Sequence, residues 1–173
     1  MAEPARARGT GHLTTTDRRP ASDPATGWRY WQLRPDGLLR SVTHRRVTWA
    51  PGRALVARCL IGGHDAPAPG CACGIHAEPS LDALRRQGLC MAPAEPLVVG
   101  QVSLWGDVVT DGHGLRAGLA YPASLALVWT AREPDPDALA ALAAYCGSVS
   151  TMAPGDALGD VAAAVLDFQA MSR

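Results

Sequence analysis

The stretch 97-LVVGQVSLWGDVVTDGHGLRAGLAYPASLALVW-129 decides the fold. Val98, Val102 and Val108 supply β-branched residues, the type favoured on a pleated surface. Midway sits Asp111-Gly112-His113-Gly114, and a Gly-rich tetrapeptide between two apolar runs predicts a hairpin tip. Two long antiparallel strands should flank it. Trp105-Gly106 predicts a kink or bulge in the first. Pro122, which has no N–H to give a ladder, should end or offset the second.

Toward the N-terminus, residues 27–42 (GWRYWQLRPDGLLRSV) place strand-like runs on both sides of Pro35-Asp36-Gly37, a strong turn signal. Trp28 and Trp31 lie three apart, so on one strand they point to opposite faces, one ring in the core and one partly exposed. Residues 45–61 repeat the plan around Pro51-Gly52, with Leu55, Ala57 and Cys59 on one face and Val56, Arg58 and Leu60 on the other. Residues 79–88 (PSLDALRRQG) predict a short helix with Ser80 as N-cap and Gly88 as its stop. Residues 91–96 read as a linker.

Beyond the hairpin, residues 137–147 predict a helix closed by Gly147. Residues 155–173 predict a second with an alanine-rich face. Strands first and helices last favour an α+β fold. The expected architecture is an antiparallel β meander or small barrel with an inserted metal loop and two C-terminal helices. Residues 1–26 are polar, Arg-rich and aperiodic, and read as a disordered tail. Residues 27–173 read as one domain.

Composition narrows the class. The chain has 173 residues and zero formal net charge, so no global field favours nucleic acid or an acidic membrane. All 16 basic residues are arginine, a bias that GC-rich codon usage explains more simply than selection for phosphate binding. No run approaches ~18 apolar residues, so no spanning helix is expected. The N-terminus carries no apolar signal segment, and a cytoplasmic location is the expectation.

Five cysteines in a reducing compartment point to metal or free thiols rather than disulfides. Three of them fall in 59-CLIGGHDAPAPGCACGIH-76. Cys59, His64, Cys71 and Cys73 make a Cys3His set, and thiolate with imidazole suits tetrahedral zinc. The Gly and Pro content suits a loop with no core of its own, ordered by metal. Buried or free thiols are the competing reading, and an iron–sulfur cluster is a weaker one because Cys-x2-Cys runs are missing. His76-Ala77-Glu78 matches half of the zinc deaminase signature, but Cys90 lacks the Pro-Cys-x-x-Cys setting that completes it. Cys90 and Cys146 stand alone, the latter a small core residue at a helix end.

The segment around the hairpin tip holds a second group, Trp105, Asp111, His113 and Arg116. Together these would form a ligand or partner surface for a phosphate or carboxylate; an exposed turn with solvated charges is the plainer alternative.

The order of these pieces resembles a family of uncharacterised bacterial proteins with the pattern C…HxxP…CxCG, then LWGxV…GxRA…YPxxL. Gly27-Trp28-Arg29 with Trp31, Trp49 with Pro51-Gly52, and Cys59 carry the first matches. His64 with Pro67, Cys71 with Cys73-Gly74, Leu104-Trp105-Gly106 with Val108, Gly114 with Arg116-Ala117, and Tyr121-Pro122 with Leu125 carry the rest. The resemblance covers about residues 27–125. Its members usually carry Tyr where this chain has His76, which implies Cys59, His64, Cys71 and Cys73 as the ligand set. It implies no activity.

Three functions are consistent with these residues. The first is a binding or adaptor module held by a structural Zn2+, its partner a protein or small molecule. The second is a zinc-dependent hydrolase or small biosynthetic enzyme with a pocket near Trp105 and Arg116. The third, less favoured, is a nucleic-acid-binding regulator using the Arg-rich tail.

Overall fold

A computed structural model describes residues 17–20, 23–87, 96–112, 114–129 and 134–159. Residues 91–95 of the expected linker, the expected helix stop Gly88, Cys90, His113 and residues 160–173 fall outside them, as does most of the N-terminal tail.

The hairpin forms as the sequence predicts. Strands Leu97–Asp111 and Gly114–Val128 pair over nearly their full length, with Asp111 opposite Gly114. In chain order these are β7 and β8. The register slips twice. Gln101 faces Ser124 but Val102 faces Pro122, so Ala123 is extra and Pro122 sits beside a bulge, where its missing N–H costs no ladder bond. Trp105 faces Leu119 but Val108 faces Ala117. Gly106 lies in that second irregularity at φ 74°, a conformation that a side chain would strain.

β2 (Ala25–Leu33) pairs along the outer edge of β7, from Ala25 opposite Leu104 to Gln32 opposite Leu97. β3 (Leu39–Ser41) and β4 (Thr48–Trp49) continue outward, so the 35–37 turn lies where it was read. On β8's other edge run β5 (Leu55–Val56) and β6 (Ile75–Ala77). An isolated bridge between Trp28 and Glu78 then links the end of β6 back to β2. The result is one sheet in the order β4-β3-β2-β7-β8-β5, curled by that bridge.

Two strands depart from the expected meander. Backbone pairing begins before residue 27: β1 (Asp17–Pro20) pairs with β7 beyond the end of β2. β9 (Val149–Met152), between the two C-terminal helices, runs parallel to β8, so the sheet is mixed rather than wholly antiparallel.

Helices cover both faces. α1 (Leu81–Arg86) starts at Ser80, whose hydroxyl accepts from the Ala83 N–H at 3.1 Å. α2 (Pro136–Ala143) is capped by Asp135, and α3 (Pro154–Leu158) closes at Gly159 (φ 80°), a break that the single helix expected from residue 155 onward did not anticipate. One core gathers Trp31, Leu39, Trp49, Val98, Val102 and Leu104 under Leu142 and Tyr145. Trp31 and Trp49 meet edge to face, 5.6 Å apart at 88°. Tyr145 fastens the helical side to the sheet: its hydroxyl accepts from the Leu39 N–H at 2.8 Å and donates to the Trp49 carbonyl at 2.7 Å. The second core joins Tyr30, Leu97 and Val99 to Leu84, Ala157 and Leu158, and Trp28 packs against it. Trp28 and Trp31 thus serve opposite faces, as strand alternation requires.

Candidate metal centre

The loop that carries the cysteines is an excursion from one strand line. Leu55 and Val56 pair with Ala120 and Leu119, and the Ala57 N–H donates to the Gly118 carbonyl at 2.8 Å. After the loop, Ile75 pairs with Ala117 and His76 with Arg116. The chain leaves β8 at residue 57 and rejoins it at the next rung. Cys59 follows the departure and Cys73 precedes the return, so sheet pairing brings both to one place.

Within this loop one ligand atom from each of Cys59, His64, Cys71 and Cys73 lies within 4.8 Å of every other. The Cys59 and Cys71 sulfurs are 3.9 Å apart, and His64 Nε2 is 3.4 Å from the Cys73 sulfur. Zinc with bonds of about 2.0–2.3 Å in a tetrahedron spaces sulfurs about 3.8 Å apart and sulfur from nitrogen about 3.5 Å. The four side chains therefore suit a metal ion in both chemistry and spacing. Gly62 makes room for the imidazole: a Cβ there would sit 2.7 Å from the His64 ring.

Backbone polarity is arranged around the sulfurs. N–H groups of Ile61 and Gly62 face Cys59, the latter at 3.2 Å, and hold its thiol below the usual range. Burial pushes the Cys73 thiol up. Metal coordination requires both as thiolates, so a bound cation offsets what burial costs at Cys73.

Arg116 braces the loop from behind. It projects from β8, only 3% exposed, and its Nη1 donates to the carbonyls of Cys71 and Cys73, the latter at 3.0 Å. Its Nη2 meets Asp111 Oδ2 at 2.5 Å. The sequence grouped Asp111 and Arg116 as an open ligand surface. The structure brings the two together, but turns the guanidinium inward onto two ligand residues. His113, from the same group, is outside the described residues, and Trp105 sits half-buried at the β7 irregularity.

His76 stands apart from the four candidate ligands. Its Nε2 lies 2.8 Å from the Ala72 carbonyl, and burial lowers its pKa. Glu78 is bonded by Gln87 Nε2 and is raised by burial. Cys146 packs partly buried against the core, as expected.

One residue escaped the sequence reading. Arg29 shares the Trp31 face of β2, stacks over the Trp49 ring at 5.5 Å, and bonds the His76 carbonyl. Its signal was available, because strand alternation sets an arginine on the same face as a core tryptophan.

No protein-family model, curated protein or solved structure matches the chain. Among the described residues no helix is long and apolar enough to cross a membrane.

Proposed function

We propose that the chain is a binding module whose metal loop is locked by a structural zinc ion on Cys59, His64, Cys71 and Cys73. The observation that carries this reading is the convergence of four ligand atoms within 4.8 Å. Four protein ligands complete a tetrahedron and leave no position for water, the pattern of structural rather than catalytic zinc. The brace from Arg116 supports the same reading, since it fixes the backbone of two ligands and leaves its charge no open surface. Binding is the function left to such a site, and the locked loop forms one wall of a cavity beside the sheet.

Elemental analysis with X-ray absorption on untagged protein tests the proposal. One zinc per chain with three sulfurs and one nitrogen is the expected result. An oxygen ligand would replace it with the enzyme reading, and absence of metal would remove it.

A further inference from the structure

A cavity of about 690 Å³ lies between the metal loop and the β2–β3 side of the sheet. Pockets for small organic ligands span roughly 300–1,000 Å³. Its wall is mainly apolar, from Trp28 to Leu60 and Ile61, which are 84% and 90% exposed at the rim.

Arg29 lines this cavity, its guanidinium over the Trp49 ring. Beyond its bond to the His76 carbonyl, Nη2 donates to Ser41 Oγ at 3.0 Å. Its Nε is sealed from solvent and has no hydrogen-bond partner. Among the described residues no carboxylate pairs with it. A guanidinium offers five N–H groups, so donors remain unused. The Trp49 ring at 5.5 Å offsets part of what desolvating this partly buried guanidinium costs, and an anion in the cavity would offset more. His44, Arg58 and His76 also line the wall. The sole carboxylate among the described lining residues, Glu78, is engaged by Gln87.

We propose that this cavity binds a small amphiphilic anion, an apolar body carrying one oxyanion group, with Arg29 as its anchoring cation. Apolar walls and an exposed apolar rim would hold the body, and a bare inorganic anion would leave them uncovered. The guanidinium's planar fork matches a carboxylate, sulfonate or phosphate. The proposal rests on the binding-module reading and not on the identity of the metal.

Two fluorescent probes test it on the full chain at measured metal content: 8-anilinonaphthalene-1-sulfonate, and N-phenyl-1-naphthylamine, which lacks the sulfonate. The sulfonate should bind one per chain, about tenfold more tightly than the neutral amine. Arg29→Met should erase that preference, bringing the two probes to equal affinity. Should this variant fail to fold, displacement from unaltered protein replaces it: decanoate should displace the sulfonate about tenfold better than decanol does. Equal affinity for the two probes, equal displacement, or a folded Arg29→Met that keeps the preference would overturn the proposal. Anion preference in protein without zinc would sink the structural-zinc reading and leave this one standing. Zinc with no anion preference would do the reverse.

Discussion

Arg116 and Asp111 meet at 2.5 Å near the tip of the central hairpin, and the same guanidinium grips the carbonyls of Cys71 and Cys73. The hairpin is thus mechanically coupled to the metal loop. Groups that orient metal ligands from behind typically govern affinity by ten- to a hundredfold. Arg116→Met should weaken zinc binding within that range in competition with a chromophoric chelator, with the same four ligands retained by X-ray absorption. Unchanged affinity would reduce the brace to ordinary packing.

The cysteines separate by role. Cys71→Ser should lose zinc and cost about 3 kcal/mol or more, roughly 10 °C in a chain of this size. Cys146→Ser should keep full metal content, since Cys146 lies outside the four-residue cluster and bonds the Ser148 carbonyl at 3.4 Å. Calorimetry with metal analysis on both variants checks the contrast.

Tyr145 holds two buried backbone groups on different strands, Leu39 N–H and Trp49 C=O. Tyr145→Phe leaves both without that partner and should cost about 2–3 kcal/mol, with zinc content unchanged. Urea midpoints measure the loss.

Tyr30 supplies a pH dependence. Its hydroxyl donates to the Ala157 carbonyl at 2.6 Å, and burial pushes its pKa up from 10.0 to about 12. The folded state therefore keeps a proton that the unfolded chain loses first. The resulting stability is fully present below pH 10.0 and is lost as pH rises toward about 12. Tyr30→Phe should cost about 1 kcal/mol at neutral pH and flatten the alkaline fall in the urea midpoint. An equally steep fall in the variant would place the dependence elsewhere.

Much of this architecture was legible in the letters, because local chemistry decides it. The hairpin follows from apolar runs around DGHG. Both irregularities fall at the residues that signalled them, Gly106 and Pro122. Ser80 caps its helix through a hydroxyl whose partner is three residues away. Elements fixed by distant pairing were not legible. β1 is a four-residue run, Asp-Arg-Arg-Pro, with no apolar pattern, and its pairing is with a strand far along the chain. β9 is equally short, and its parallel partner lies across a helix.

The site divides the same way. Residue type and loop composition picked out Cys59, His64, Cys71 and Cys73. Which way Arg116 faces depends on the strand pairing that brings residues 75–77 beside β8, and that pairing has no local signature. Arg29 was readable from alternation alone, but only to a reader who already placed Trp31 in the core.

The metal loop leaves β8 opposite Gly118 and rejoins it opposite Ala117. To the sheet, the excursion has no length. Pairing on either side runs through residues 55–57 and 75–77, and between them the loop is seated on β8 by buried Pro67 beside Gly118 and by Arg116. The loop is therefore an insertion at one rung, whose exposed positions such as Leu60 and Ile61 can vary while the neighbouring register stays fixed.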